Sequence, residues 1–394
     1  MLHFSTRYHP CFWVYFLSGV LALAAQTETK INPLAKPGDS KPLSSAVSPE
    51  QWQRVEKAVD RALSWLAARQ TSEGTFPTYS SAQPAVTSLC TMAFLSRGHQ
   101  PGAGTYGQGI NKAIDFVLSC QRSDGLFSFK EPSLKHVDRE ASHAAVYNHA
   151  MSGLMLGEVY GQVNGTRAKN VKTGIERALK FSLELQLRPK KKRDTGGWRY
   201  LRTLPSPTAE SDLSVTGWQL MFLRSAKNAE FNVPETAITA ATEYVRKLWD
   251  TEGGAFNYVH DDFRADRVTR GMTGAGILCL SMAGQHDTIM ARSAGTWLLA
   301  HPFKTFNDPV PNAHEDRFFY GAYYCSQAMA QLGGRYWEEF FPKLVAVLLE
   351  NQASDGSWPP EPHSGDAIFG NAYTTALAVL SLTPPYQLLP VYQR

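Results

Sequence analysis

Five acidic residues lie at the starts of predicted apolar helices, where a carboxylate could serve either chemistry or structure. They are Glu140, Asp212, Asp266, Asp316 and Asp366. A carboxyl group that keeps its proton can act as a general acid, and carboxylates that gather in one place can bind a cation or a sugar. The structural alternative is that each acid caps exposed N–H groups and meets the positive end of a helix dipole. We assign a catalytic role to Asp212, with capping as its alternative.

Histidine and arginine side chains occur near these acids in the sequence. They are His136, His143, His260, His314, Arg267, Arg270 and Arg317. Helical spacing puts His143 and Tyr147 on one face, whereas His149 lies on another face of the same helix. All three are candidates for ligand binding, and a hydrogen-bonded core position is the alternative. The segment His260-Asp261-Asp262 is the best cluster for a cation or a sugar, with a solvated loop as its alternative.

Aromatic side chains could supply the apolar half of a ligand pocket. Those on the apolar helices or at their starts are Trp218, Phe318, Phe319, Tyr320, Tyr323, Tyr324 and Tyr373. Their rings could contact an isoprenoid, a carbocation or the face of a sugar. Tyr320, Tyr323 and Tyr324 share one helix face at spacing i, i+3 and i+4. Trp218, Tyr373 and these three tyrosines are candidates for ligand binding, and core packing is the alternative.

The helices that position these candidates repeat along the chain. Four times, a helix ends in Gln and a turn containing Gly and an aromatic residue follows. The four turns are Gln70 with Gly74-Thr75-Phe76, Gln121 with Gly125-Leu126-Phe127, Gln186 with Gly197-Trp198 and Gln352 with Gly356-Ser357-Trp358. Two weaker units, at Trp249 and at Trp297, complete six repeats of roughly 50 to 65 residues.

Each repeat pairs an amphipathic helix with one that is apolar all round, such as residues 85–95, 214–223, 271–283 and 372–382. An amphipathic helix meets solvent on one face, whereas a helix that is apolar all round is buried on every side. Six such pairs predict an all-α fold, an (α/α)6 toroid of two concentric rings over residues 51–394. The inner ring would line a central cavity and gather its helix starts at one mouth.

The composition indicates a globular protein, and the N-terminal segment indicates an exported one. Of 394 residues, 43% are hydrophobic and 19% charged, which is enough apolar material for a large core. The net charge of +4 is too balanced for a nucleic-acid partner.

Residues 1–25 have the apolar run and small-residue end of a signal peptide, and this run is shorter than the roughly 20 residues that span a bilayer. Residues 26–50 are polar and predict a disordered linker.

Four cysteines remain after removal of the leader: Cys90, Cys120, Cys279 and Cys325. They form no Cys-x-x-Cys pair, which excludes structural zinc on cysteines. Most of them lie inside apolar helical runs. We therefore expect small buried hydrophobes, with disulfides as the alternative in an oxidising compartment.

The repeated turns resemble those of the squalene/hopene cyclase and protein prenyltransferase superfamily. The likeness covers nearly all of residues 51–390 and includes Gln121-Arg122-Ser123-Asp124-Gly125-Leu126-Phe127. More narrowly, Gly196-Gly197-Trp198-Arg199-Tyr200 and Asp212-Leu213-Ser214-Val215-Thr216-Gly217-Trp218-Gln219 are similar to exported prenyltransferase/squalene-oxidase-repeat proteins of planctomycete bacteria. The resemblance implies a toroid that either cyclises an isoprenoid or transfers a prenyl group with zinc.

The residues that these reactions require are largely missing. In Glu210-Ser211-Asp212-Leu213-Ser214, only Asp212 matches the Asp-x-Asp-Asp acid motif of the cyclases, so the usual carboxylate partners are absent. In Arg317-Phe318-Phe319-Tyr320-Gly321, Gly321 stands where the prenyltransferases have a zinc-binding His. The sequence therefore predicts no metal and no cofactor.

Three functions stay open at this point. The first is an exported toroid that binds an isoprenoid or another apolar ligand in its central cavity, either as a diverged cyclase or as a lipid-binding relative. The second is a non-catalytic binding or scaffold protein of the cell envelope. The third is a polysaccharide lyase or hydrolase, because toroids of this kind also carry carbohydrate chemistry. Peripheral contact with a membrane is compatible with all three, and the oligomeric state is left open.

Overall fold

The two kinds of helix differ in how much of their surface they bury. In the first helix, α1 (Pro49–Arg69), the buried residues form one stripe from Val55 to Leu66, at the spacing of an amphipathic helix. The next helix, α2 (Ala85–Ser96), is buried along its whole length. The apolar pattern of the sequence therefore separates outer helices from inner ones.

The computed structural model describes residues 41–133, 140–201, 209–260, 268–306, 316–361 and 365–393. Within these residues, twelve α-helices alternate between two rings. The outer ring comprises α1, α3 (Gly107–Ser119), α5 (Gly165–Leu187), α7 (Glu235–Lys247), α9 (Ile289–Ala300) and α11 (Gly334–Glu350). The inner ring comprises α2, α4 (Ala141–Val159), α6 (Leu213–Asn228), α8 (Arg270–Met282), α10 (Phe318–Leu332) and α12 (Gly370–Leu382).

The inner helices form a closed ring. Each packs against the next, from α2 through α12, and α12 packs back against α2. They run parallel, because the starts of α4 and α6 meet at Tyr147 and Ser214 (3.0 Å) and their ends meet at Glu158 and Ser225 (2.6 Å). The predicted all-α (α/α)6 toroid is confirmed.

The four Gln turns tie neighbouring outer helices together. Each Gln Nε2 donates to the carbonyl of a glycine in its own turn and to a carbonyl of the next outer helix. The acceptors are Gly74 and Gly109 for Gln70, Gly125 and Gly174 for Gln121, Gly196 and Ala237 for Gln186, and Gly356 and Ala58 for Gln352. The bond from Gln352 to Ala58 O joins the sixth helix pair to the first. The third turn uses Gly196, not Gly197 as the sequence pattern indicated, because Gly196 has the positive φ of +95° and a Cβ there would collide with Ala240 O.

Other details differ from the expectation or refine it. The weak unit at Trp249 contains a two-stranded hairpin, β1 (Trp249–Asp250) and β2 (Ala255–Phe256). Residues 41–50, which we assigned to a linker, include a 3-10 helix at Leu43–Ala46 that packs on α11, where Trp337 Nε1 donates to Leu43 O at 2.7 Å. The four cysteines of the described chain are buried and unpaired, as predicted.

Candidate functional site

Among the described residues, three of the acids that the sequence singled out pair with arginine at the mouth, which is the end of the ring where the inner helices start. Arg270 pairs with Asp316, and both side chains are almost fully buried. Arg317 Nη1 lies 2.5 Å from Asp366 Oδ1. Asp316 Oδ1 also accepts from the Arg270 N–H at 3.0 Å, at the first residue of α8. Asp316 therefore stabilises the start of α8, the inner helix before it in the chain, and not the start of α10, which follows it.

Asp212 forms the third pair and differs from the other two. It is the N-cap of its own helix, α6, where Oδ1 accepts from Val215 N–H at 2.7 Å. The second oxygen lies 3.7 Å from Arg199 Nη1. Burial raises the pKa of Asp212 to about 6, while Arg199 and the helix N–H groups act in the opposite direction. At neutral pH the carboxyl group is therefore mostly ionised, and the capping alternative describes its contacts.

Glu210 and Glu140 do not complete an acid motif. Glu210 Oε2 accepts from Lys191 N–H at 2.5 Å, so this carboxylate bonds the loop that follows α5. Glu140, which precedes α4, makes no capping bond with its side chain and instead accepts from Tyr79 OH at 3.1 Å. Neither contact involves Asp212.

Partly exposed aromatic side chains lie beside Arg199 at the mouth. Tyr200 and Tyr258 share a hydrogen bond between their hydroxyl groups at 2.6 Å, and the Arg199 guanidinium lies 5.0 and 5.7 Å from the centres of their rings. His143 stacks on Tyr200 with ring centres 4.0 Å apart. We use the name mouth cluster for a set of seven residues: His143, Tyr147, Arg199, Tyr200, Ser214, Tyr258 and Tyr320.

The remaining members of the mouth cluster are joined by a chain of hydroxyl groups. Tyr147 OH donates to Ser214 Oγ at 3.0 Å, and Ser214 Oγ lies 2.6 Å from Tyr320 OH. Three inner helices, α4, α6 and α10, contribute to this chain. The structure therefore brings together three of the residues that the sequence singled out, namely His143, Tyr147 and Tyr320.

Other predicted ligand-binding residues lie in the packed centre of the ring. Trp218 of α6 stacks on Tyr323 of α10 at 5.3 Å and meets Tyr324 edge-on at 5.5 Å. All three side chains have no exposed surface. Because these rings of α6 and α10 pack together with no exposed surface, they do not line the deep cavity that we expected at this level of the ring.

His149 is a core residue with all of its polar atoms bonded. Its Nδ1 accepts from Phe127 N–H at 3.2 Å, so Nε2 carries the proton and lies 2.9 Å from Ser182 Oγ. Burial lowers the pKa of this imidazole to about 4, which keeps it neutral. The hydrogen-bonded alternative describes His149.

Two further candidates lie near the mouth but apart from the mouth cluster. Tyr373 of α12 is buried against Phe369, with ring centres 5.2 Å apart. His260 is partly exposed, and its Nδ1 is buried without a hydrogen-bond partner among the described residues. Outside the described residues lie Asp261, Asp262, Asp266, Arg267, His136 and His314.

Sequence reasoning missed Arg199, Tyr200 and Tyr258 as site residues. Arg199 and Tyr200 directly follow the aromatic residue of the third Gln turn, Trp198, so the repeat itself was a signal for their position. Tyr258 follows β2 in the same way. A search of the positions just after each turn would have found all three.

Two further observations limit the chemistry of the described residues. Among them, no group of three or more His, Cys, Asp or Glu side chains could hold a metal ion. In the same parts of the chain, none of the helices has the length and apolar character needed to cross a membrane.

Comparison with solved structures identifies the fold. A variant of the type II terpene cyclase MstE from Scytonema, in complex with its substrate geranylgeranyl dihydroxybenzoate, superposes with a TM-score of 0.56 at 15% identity, covering 87% of this chain and 100% of that one. A glycosidase variant in complex with glucose gives 0.57 at 11% identity, again with 87% and 100% coverage. A protein from Actinoplanes gives 0.55 at 14% identity, with 84% and 99% coverage.

The chain has the squalene/hopene cyclase-like α/α-toroid fold. A type II terpene cyclase and glycosidases both occur among its structural neighbours, so the fold alone does not select an activity. No protein-family model matches the sequence, and neither does any curated protein.

Proposed function

We propose that this protein is a ligand-binding cyclase-like toroid that holds an isoprenoid-type molecule at its mouth and does not cyclise it. The observation that carries the proposal is the state of Asp212. Protonation of an alkene requires a strong acid that holds its proton, whereas this carboxylate is a helix cap beside Arg199 with a pKa of about 6. Binding without cyclisation is the function that remains for a cyclase-like toroid built in this way.

The mouth cluster suits an amphiphilic isoprenoid. The tyrosine rings of Tyr147, Tyr200, Tyr258 and Tyr320 are partly exposed and could contact a prenyl chain with their faces. Arg199 and the linked hydroxyl groups could bind a polar head. A neighbour of the same fold binds geranylgeranyl dihydroxybenzoate, which joins a polar ring to such a chain. Because Trp218 and its neighbours fill the centre of the ring, we place the ligand at the mouth.

A carbohydrate is the second candidate ligand, favoured by the chain of hydroxyl groups from Tyr147 to Tyr320. A sugar ring could stack on the aromatic faces and exchange hydrogen bonds with these hydroxyl groups. A glycosidase neighbour binds glucose. The pairing of three mouth aspartates with arginine opposes hydrolysis, which needs one carboxyl group to keep its proton.

The leader predicted at residues 1–25 supports an exported location in the cell envelope, where a lipid-binding toroid would meet isoprenoid lipids at a membrane surface. A non-catalytic role there is consistent with the missing acid motif and the missing zinc ligand.

Binding measurements with defined probes test this proposal. We would titrate geranylgeraniol and methyl glucoside into the wild type, Tyr147→Ala and Tyr160→Ala, and measure the affinities by calorimetry. Tyr160 is the matched control, because it is a partly exposed tyrosine at the opposite end of the same helix. We expect Tyr147→Ala to weaken geranylgeraniol binding at least about tenfold, which is about 1.4 kcal/mol, and Tyr160→Ala to leave it unchanged.

Product analysis separates binding from catalysis. After incubation with geranylgeraniol and with geranylgeranyl dihydroxybenzoate, we expect mass spectrometry with chromatography to find no cyclised isomer. A cyclised product that disappears in Asp212→Asn would overturn the non-cyclising proposal and restore the diverged cyclase. Binding of methyl glucoside alone would favour the carbohydrate candidate.

A further inference from the structure

The end of the ring opposite the mouth is occupied by residues 389–393. Pro390–Tyr392 forms a short 3-10 helix there. Its backbone is held by polar side chains from three inner helices, α4, α6 and α10. The bonds are those of Val391 N–H to Glu158 Oε2 (3.2 Å), Asn228 Nδ2 to Pro390 O (3.1 Å) and Gln331 Nε2 to Tyr392 O (2.5 Å). Side chains of the ring therefore bind this segment as a groove binds a peptide.

The phenol ring of Tyr392 fills a seat between inner helices. Its hydroxyl group pairs with that of Tyr323 and lies 3.6 Å from Met221 Sδ. Tyr323 in turn stacks on Trp218, so the seat reaches the packed centre of the ring. Aromatic and thioether walls with one hydroxyl partner suit a phenol, because they contact its ring and bond its O–H.

The segment lies at the surface, and Tyr392 itself is partly exposed. A cleft of about 660 Å³ lies beside it, and Val391 and Gln393 form one wall of that cleft. Side chains of α6, α7 and α8 line the rest, among them Leu278 and Met282. Displacement of residues 389–393 would therefore connect the cleft with the phenol seat and provide a path for a ligand.

Glu158 reduces the cost of that displacement. Its carboxyl group is 2% exposed, and among the described residues no cation lies within ion-pair distance of it. Its oxygens accept from Ser225 Oγ at 2.6 Å and from Val391 N–H. When the segment leaves, water can reach this carboxyl group, and the hydration gained offsets part of the bonds that are lost. A segment seated only on apolar surface would have no such compensation.

We propose that this end of the ring is a second ligand site for a para-substituted phenol, and that residues 389–393 occupy the site until such a ligand displaces them. The exchange is non-covalent and replaces one phenol with another in the same seat. It is independent of the mouth cluster and of the function proposed for it.

Hydrogen exchange of the wild-type protein tests the displacement. With 4-methylphenol, the analogue of the Tyr392 side chain, amides in residues 389–393 should exchange severalfold faster, because Val391 N–H loses its acceptor. Toluene has the same shape but no hydroxyl group, and it should have a much smaller effect. Unchanged exchange up to the solubility limit of 4-methylphenol would overturn the proposal.

A pair of tyrosine variants tests the seat itself. In Tyr392→Gly, 4-methylphenol should raise the melting temperature in a concentration-dependent manner, because it fills the vacated seat. Tyr386→Gly is the matched control, since Tyr386 packs against Trp52 away from the seat, with ring centres 5.3 Å apart. Equal shifts in the two variants, or none in either, would show that the seat does not select a phenol. Failure of Tyr392→Gly to fold would leave the exchange experiment to decide.

Discussion

Three aspartates at the mouth of the inner ring and one glutamate at its far end are buried with different partners. At the mouth, Asp212, Asp316 and Asp366 each lie beside an arginine. At the far end, Glu158 is buried with two neutral donors, Ser225 Oγ and Val391 N–H. The same parallel helices carry both arrangements. The difference shows that the same inner helices can bury an acid either beside an arginine or with neutral donors.

Helix polarity accounts for the acids at the mouth. The first N–H groups of a helix lack partners inside the helix and carry the positive end of its dipole, so carboxylates are favoured there. Arginines then neutralise the carboxylates that packing has buried. At the far end, the backbone groups without partners inside the helix are the last carbonyls, which need hydrogen-bond donors. They carry the negative end of the dipole, so they do not stabilise a carboxylate. Glu158 is therefore held only by neutral donors, Ser225 Oγ and Val391 N–H, among the described residues.

The largest expected effect comes from breaking a mouth pair. Arg270→Met should lower the free energy of unfolding by about 3 to 5 kcal/mol, because it leaves the buried Asp316 carboxylate without a counter-ion. Methionine keeps much of the apolar contact that Arg270 makes with the ring of Phe303. Urea denaturation measures the loss.

The control for that variant is an exposed ion pair of good geometry. Arg167 Nη2 lies 2.7 Å from Asp115 Oδ2, with side chains that are 30% and 53% exposed. Arg167→Met should cost about 1 kcal/mol or less. Similar losses in the two variants would mean that burial does not distinguish the mouth pairs.

The next effect concerns the far end and depends on pH. Burial raises the pKa of Glu158 from 4.5 to about 7. Because the folded protein binds this proton more tightly than the unfolded chain, the contribution is fully present below pH 4.5 and is lost as the pH rises through 7. Relative to Glu158→Gln, the wild type should lose about 3 kcal/mol between pH 4.5 and 8.

Denaturation of both proteins across that pH range tests the expectation. The glutamine amide can still accept from Val391 N–H, so the variant should fold at every pH in the series. Glu184→Gln, an exposed control that is 64% accessible, should follow the wild type. If the free energies of unfolding of wild type and Glu158→Gln differ by the same amount at every pH, ionisation of Glu158 does not destabilise the folded protein.

The architecture was predictable because it repeats. The four Gln turns and the two weaker units at Trp249 and Trp297 indicated six helix pairs and their order, and the apolar pattern separated inner from outer helices. The filled centre was not predictable, since a helix that is apolar all round does not indicate which face meets a helix across the ring. Trp218 and Tyr323 therefore looked like ligand contacts although they pack together.

The site was predictable only where spacing carried the information. His143 and Tyr147 share a helix face and do lie together at the mouth, and Asp212 lies at a helix start as a cap should. Arg199 contacts Asp212 from a turn, and in a turn no periodic pattern of the sequence indicates where a side chain points. Residues 389–393 have no periodicity at all, and their seat arises from three helices distant in sequence.

A smaller effect is expected at the Gln turns, which lie on the mouth side of the toroid. Gln186 is buried and its amide bonds Gly196 O and Ala237 O at 2.8 and 2.9 Å. Gln186→Leu removes both bonds; Ala237 O keeps its acceptor role inside α7, whereas Gly196 O loses this donor in a buried position, and the change should cost about 1 to 3 kcal/mol. Gln70 makes equivalent bonds but is partly exposed, so water can replace its amide and Gln70→Leu should cost less. Equal losses in thermal denaturation would mean that burial does not govern the strength of these turns.

The smallest expected effect separates the mouth cluster from the core. Tyr147→Phe removes one hydrogen bond to Ser214 Oγ at a partly exposed position, where water can bond the serine instead. The loss of stability should be about 1 kcal/mol or less. Tyr323→Phe removes a hydroxyl group from a side chain with no exposed surface, which leaves Tyr392 OH with the Met221 sulfur as its partner among the described residues, and should cost more. If Tyr147→Phe costs as much as Tyr323→Phe in urea denaturation, the mouth cluster is as closed to solvent as the centre of the ring, and it has no free surface for a ligand.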